Sequence, residues 1–463
     1  MPPADAWDAY VRTVAKNFGH RLEFLEIWNE PDLKGFFEPP VEEYIELCRR
    51  AVKIAREVSP KVKIASGGFA TMHPGWWDGK PARFHEEVMA ATKGCFDIHS
   101  YHEHGYFPHY QQMVDNHFIP MRQRLGIEIP WIASETAMHS AKGTDAKQAD
   151  CLFKKLLFTW ARGGKSYTWY GLFDNGYDLE YSEHNFGTID HFMEPKHVYA
   201  TYAAIVRLFV EASFQRQITS EGSPWLFAFT APDSALLAHW NAVSTTGTSI
   251  YAAMPEGTMA KASTFDLAGN EKTLLCLDES ALFTITETGQ VVKLYGAKGF
   301  RDVQPVAMLE IPAAMTSEEP VDGTLILRNP VSRQVRCTLS PDISKGAFFR
   351  ACLQIASFHR SRFFGYRLRF NAVASRLLYG LACRLMASRR LSTSKNRLHL
   401  PRFARELRFA NEARTLRWTM SRKSKTSSSS TLNQPSAHGS RQPTCQRRFG
   451  WVAKTRRCTS GRR

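Results

Sequence analysis

Apolar positions in the first part of the chain move between two rhythms. Trp7, Tyr10, Val11, Val14 and Phe18 recur at steps of three and four, which marks one face of a helix. The run LEFLEIW follows and predicts a strand. Tyr44, Leu47, Cys48, Ala51, Ala55 and Val58 then resume the helical period until Ser59-Pro60 stops it. The alternation continues with KVKIASGGF as a strand, PARFHEEVMAATKG as a helix, and CFDIHSY as a strand. HYQQMVDNHFIPMRQRLG reads as a helix with Pro120 inside it, a residue that breaks or kinks helices. PWIASE and KSYTWYGLF predict strands, each followed by a helix, DAKQADCLFKKLLFTWARGG and EPKHVYATYAAIVRLFVEA. Strand and helix repeat about every 35 residues, which argues for an α/β domain of parallel strands covered by helices. The repeat is close to that of a (β/α)₈ barrel.

After about residue 211 the rhythm shortens to strands separated by turns: SPWLFAFTA, SALLAHWNA, TSIYAAM, KASTFDLAGNEKTLLCL and ALFTITET. This pattern predicts a β-sandwich. VAMLEIPAAMTSEEPVDGTLILRNPVSRQVRCTLSPDI reads as the start of an Ig-like unit that is not completed. The division expected is 1–210 barrel, 211–300 sandwich, 301–345 incomplete β segment and 346–463 tail.

Charge sharpens that last boundary. The first 345 residues carry 33 Lys+Arg against 42 Asp+Glu, whereas the last 118 carry 27 against 2. The net charge of +16 therefore belongs to the tail and says nothing about partners of the main body. With its Ser-rich run and little periodicity, the tail reads as disordered or as the product of a shifted reading frame. A nucleic-acid module is the less favoured reading of its arginines. The nine cysteines show no CxxC or metal-ligand spacing. MPPADAWDAY has neither part of a secretory signal, and no run reaches the length of a membrane span, so the expectation is no membrane partner and localisation is left open.

In a barrel, reacting residues stand at the C-terminal ends of strands. Glu30 ends the first visible strand, in FLEIWNEPD, and Glu135 ends the fourth, in WIASET. They are 105 residues apart, or three repeats, so both face the same mouth. Paired carboxylates at one mouth are the apparatus of glycoside hydrolysis, one donating a proton and the other attacking the anomeric carbon.

WNEP after one apolar strand and SET after another resemble the clan of retaining (β/α)₈ glycoside hydrolases. IWNEPD, the Phe96-Asp97 and His102 segment, and WYGLFD most resemble family 39, which includes β-xylosidases and α-L-iduronidase. The resemblance implies Glu30 as acid/base on strand four and Glu135 as nucleophile on strand seven. Asn29 would meet the sugar 2-hydroxyl, His102 would be the strand-six histidine and Trp169 the aromatic beneath the sugar. Trp28 completes the substrate-binding set. No metal and no cofactor is implied, and the partner would be a glycoside, oligosaccharide or polysaccharide. Where the family pattern often has Tyr, this chain has His104. On this numbering only strands four to eight are visible, so a partial barrel lacking its first three strands is expected.

Plainer readings stand beside these. Asn-Glu-Pro also serves as a strand-ending turn, and Trp169 as barrel filler. His99, His102, His104 and His109 read as pocket or surface histidines before a metal site. Trp76-Trp77 is equally an aromatic platform or a folded-in loop. At the level of function, a binding remnant without turnover and an inverting hydrolase remain alternatives.

Overall fold

The structure, a computed structural model, describes residues 2–306 apart from 71–79, 220–223 and 243–248, and beyond them 307–310 and the backbone of five strands between Pro320 and Met386. Trp76-Trp77 and most of the basic tail lie outside the described residues.

Helix α1 (Ala4–Phe18) buries Trp7, Val11 and Ala15, while Tyr10 and Phe18, expected on the same face, are 61% and 49% exposed. The buried stripe is thus one residue per turn wide, enough to seat the helix on α2 (Val41–Val58). In α2 the expected positions Tyr44, Leu47, Cys48, Ala51 and Ala55 are buried. Its Glu42 and Glu43 lie in the first turn and Arg56 in the last, as the helix dipole favours.

Between and after these run β1 (Phe24–Glu26), β2 (Lys63–Ala65), β3 (His99–Glu103), β4 (Trp131–Thr136) and β5 (Tyr167–Trp169). β1 pairs with β2, β3 with β4, and β4 with β5, all parallel. Parallel bridges Ala65↔Ile98 and Phe69↔Tyr101 join β2 to β3. The five strands therefore stand side by side in chain order, with α3 (Lys80–Ala91), α4 (Phe107–Met113), α5 (Ile119–Leu125), α6 (Asp145–Ala161) and α7 (His197–Phe209) completing the repeats. Their order does not reverse, unlike that of a doubly wound sheet, which reverses at a switch point. The Pro120 region remains helical throughout. A π-helical turn, Val114–Phe118, separates α4 from α5 and widens the ladder just where proline lacks its N–H.

The second part holds two antiparallel sheets. The first contains β6 (Ser213–Gln217), β7 (Trp225–Ala231), β8 (Ser234–Trp240), β10 (Lys261–Phe265), β11 (Glu271–Thr273) and β14 (Gln290–Tyr295). The second contains β9 (Ser249–Glu256), β12 (Leu275–Leu277), β13 (Ser280–Ile285), β15 (Gly299–Glu310) and three later strands. Leu226, Ala228 and Leu237 of the first sheet meet Tyr251, Ala253 and Phe283 of the second in one core. The alternate residues of β7 and β8, among them Trp225, Phe227, Phe229 and Trp240, join Phe107 and Phe158 from the helical part. Burial on both faces explains why β7 and β8 read as continuous apolar runs.

β15 continues past residue 300, with a register shift between Phe300 and Asp302, and pairs with β16 (Pro320–Leu327). Strands also occur where an unstructured tail was expected. β19 (Phe364–Asn371) pairs with β16 and with β18 (Phe348–Cys352), and β17 (Arg336–Pro341) pairs with β20 (Leu381–Met386). The physical reason is visible in FGYRLRFN, where Phe364, Tyr366, Leu368 and Phe370 alternate with Gly and polar residues at the period of a strand. No helix among the described residues is long and apolar enough to cross a membrane.

Candidate active site

The C-terminal ends of β1, β3 and β4 converge on a set of titratable side chains. After β1 the backbone turns sharply: Trp28 and Glu30 have φ of +75° and +46°. A bulky residue in the left-handed region is uncommon, and such conformations gather at functional sites. Asn29 between them bridges to Gly68, and the Glu30 amide donates to the Gly68 carbonyl at 3.1 Å. The consequence is that Glu30 turns inward and is 8% exposed, while Asn29 stays exposed.

β3 divides its histidines by alternation. His99 faces the helices, where its Nδ1 accepts from Arg122 at 2.8 Å and its Nε2 meets His85 at 2.8 Å. His102 faces the mouth, with Nδ1 3.0 Å from Glu30 Oε1 and 3.8 Å from Glu135 Oε2, and with Nε2 3.5 Å from Glu26 Oε1. Burial disfavours charge on this ring, yet hydrogen bonds to Glu26 and Glu30 and the charge of Glu135 outweigh it and push its pKa up to about 9. His102 is therefore an imidazolium at neutral pH.

On β4 the ladder opposite Tyr101 and His102 reads Ala133 and then Glu135, so Ser134 is an extra residue, a bulge. The bulge lets neighbours share a face. Ser134 Oγ meets Ser100 Oγ at 2.5 Å, Ser100 also donates to Glu26 Oε2 at 2.5 Å, and Glu135 meets His102 and His104. His104 Nε2 lies 3.0 Å from Glu135 Oε1. Burial raises the Glu135 pKa, but the His104 hydrogen bond and the charges of His102 and His104 prevail and hold it below the ordinary carboxylate value. One oxygen each of Glu30 and Glu135 and one nitrogen of His104 lie within 4.8 Å of one another. That spacing is within a cation's reach, and the His102 imidazolium already supplies positive charge to the same two carboxylates.

Of the positions expected from sequence, Glu30, His102 and Glu135 are brought together and Asn29 borders them. The two tryptophans are each held by a backbone carbonyl. Trp28 donates Nε1 to the Phe36 carbonyl at 3.1 Å and stands 5.7 Å from the rings of Trp7 and Phe37. Trp169 donates Nε1 to the Phe186 carbonyl at 3.1 Å and packs on Ala149, Leu152 and Val198. The aromatic rings beside His104 are those of Tyr170, at 5.7 Å, and Phe186, at 5.3 Å. Glu26 and the His104–Glu135 contact were not foreseen. A glutamate amid the apolar residues of FLEIW was the available signal for the first.

No family model and no curated protein matches this chain. Among solved structures it is similar to a family 39 glycoside hydrolase from the gut symbiont Bacteroides cellulosilyticus, with TM-score 0.49 and 18% identity over 63% of this chain and 62% of that one. It is also similar to a glucosidase from Croceicoccus marinus, with TM-score 0.44 and 10% identity over 64% and 75% of the two chains. A family 51 α-L-arabinofuranosidase from Bifidobacterium longum gives TM-score 0.41 and 11% identity over 59% and 68%. These structural neighbours are glycoside hydrolases. The chain spans less than two thirds of the length of the family 39 protein.

Proposed function

We propose that this site cleaves O-glycosidic bonds with retention of configuration, Glu135 acting as nucleophile and Glu30 as proton donor. The observation that carries the reading is the approach of the two carboxylates, whose oxygens come within 4.8 Å at the mouth of a parallel β/α wall. Retaining sites hold their carboxyl groups about 5–5.5 Å apart, while inverting sites need roughly 6.5–9.5 Å to admit a water.

The groups around Glu135 suit its role. Glu135 must be anionic to attack the anomeric carbon, and His104 and His102 stabilise that charge. As the C–O bond breaks, Glu30 protonates the leaving oxygen, which leaves the sugar esterified to Glu135. Glu30, now a base, takes a proton from water, and the water oxygen displaces Glu135. His102 anchors both carboxylates through one ring, so neither swings away between steps. Asn29, exposed beside Glu30, is the amide placed for a sugar hydroxyl, and Tyr170 and Phe186 offer aromatic surface.

The test is azide rescue on aryl glycosides. Glu135→Ala should lose all turnover and recover partly with azide, giving a glycosyl azide of inverted configuration. Glu30→Ala should suffer most on poor leaving groups, since an activated phenol departs without proton assistance, and azide should give the retained configuration. The opposite stereochemistry exchanges the roles. Sugar binding without hydrolysis by the unaltered chain would favour a carbohydrate-binding protein instead.

A further inference from the structure

One buried ion pair lies just behind the site. Lys155 of α6 is fully buried and its ammonium stands 2.5 Å from Oε2 of Glu103, itself 3% exposed. Replacing a buried pair of this kind by apolar residues is often neutral or stabilising, so its presence is weak evidence of a stabilising role. What distinguishes it is the rest of the ammonium's surroundings. Lys155 Nζ donates to the carbonyls of Glu103 at 3.1 Å, Gly105 at 3.2 Å and Ala137 at 3.0 Å. Glu103 in turn accepts the Gly105 amide on Oε1 at 2.6 Å.

These contacts bracket the His104–Glu135 pair. Glu103 and Gly105 are the residues on either side of His104, so the pair holds the backbone both before and after that imidazole. Ala137 lies two residues beyond Glu135, and its amide also donates to the Glu103 carbonyl at 3.1 Å. A single ammonium thus clasps the two strand ends whose side chains meet at 3.0 Å. Cys151, one turn earlier on α6, directs its thiol at the Gly105 carbonyl from 3.6 Å, and the Tyr110 ring lies 4.9 Å from the ammonium. The Lys155 ammonium itself is fully buried.

We infer that Lys155, with Glu103, is a positioning residue that sets the hydrogen bond from His104 to Glu135. The inference rests on the glycosidase reading for its kinetic consequence and on geometry alone for the hydrogen bond. Lys155 itself touches neither carboxylate of the mouth; it acts through the two backbones. The groups facing Glu135 directly are His102 and His104 from β3 and Glu30 from the β1 turn.

The test uses the full chain carrying Lys155→Met with Glu103→Gln, which removes both buried charges at nearly constant volume. With ¹⁵N-histidine labelling, the unaltered protein should show a downfield ring N–H proton from His104, assigned by its loss in His104→Ala. In the paired variant this proton should exchange with water at least tenfold faster while the circular dichroism spectrum is unchanged. On an aryl glycoside, kcat should fall about 10- to 100-fold with KM within about threefold, as expected when alignment and not binding is lost. Added to His104→Ala, the paired change should cost no more than about threefold further, because both act on one contact. An unchanged ring proton in the folded paired variant, or additive losses, would overturn the inference. If the paired variant does not fold, Glu103→Gln alone keeps one acceptor oxygen and sets an NH₂ group against the other partner; a smaller acceleration of exchange supports the inference and none overturns it. Absence of turnover by the unaltered chain would sink the glycosidase reading only, and the ring proton would still decide the positioning role.

Discussion

His102 Nδ1 stands 3.0 Å from Glu30 Oε1, and the ring that makes this contact is 2% exposed. Its pKa of about 9 lies above the ordinary value of 6.5, so the stabilisation it provides is complete below about pH 6.5 and is lost as pH rises through 9. The difference corresponds to about 3 kcal/mol. Urea unfolding of the native chain should therefore weaken between pH 6.5 and 9, whereas His102→Asn should be less stable at pH 6 and flat across that window. Parallel curves for the two proteins would contradict the imidazolium assignment.

The His104 contact makes a complementary statement on the acid side. Glu135 is held below its ordinary value of 4.5, so its contribution is present above that value and lost as pH falls through the lowered one. The acid limb of kcat/KM should accordingly lie below pH 4.5. His104→Ala should move it upward, because the hydrogen bond that favours the charged carboxylate is then absent. A limb that does not move would assign it to another group.

Gly68 is required for space. A Cβ there would collide with the His102 ring, whose Nε2, Cδ2 and Cε1 are its nearest atoms. Glu26 and Glu30 hold that ring from both nitrogens, so it has no free direction in which to yield. Gly68→Ala should lower kcat/KM by about 100-fold at a stability cost of about 1–3 kcal/mol. Steady-state kinetics and a melting curve on one preparation would check both.

Trp240, 1% exposed, touches the rings of Phe107 and Phe153 on α4 and α6 and of Trp225 and Phe227 on β7. Trp240→Ala should cost about 3–5 kcal/mol in urea. Because the rings belong to one core, helix and sheet signals should unfold at the same midpoint. Two separated transitions would mean that the core is not shared in energy as it is in space.

The helices and the parallel order were legible because one buried stripe per element repeats at a helical period, as in Tyr44, Leu47, Cys48, Ala51 and Ala55. The meeting of Glu30, His102 and Glu135 was legible for a similar reason, since equal repeats bring equivalent strand ends to one mouth. Ala133 pairs with Tyr167 and Thr136 with Trp169, a shifted register that a sequence cannot display. A slip of one residue turns every side chain to the other face, and Tyr170, not Trp169, stands beside His104. The direction of Trp28 is likewise illegible in a sequence, being set by a left-handed φ. β6, with Gln215, Arg216 and Gln217 beside the single apolar Phe214, carries too short a pattern to be read alone and is recognisable only through its partner β7.

The unpaired Ser134 of β4 has a consequence of another kind. Deleting it would give a regular ladder and a better sheet by every local measure. The same deletion would leave Glu135 opposite His102 on the mouth face and would remove the hydroxyl that meets Ser100, so what the extra residue adds is a second side chain on that face. Exchanging the serine for alanine or glycine leaves the count intact. Ser134 works as an inserted word: it adds to the line without turning the words on either side of it.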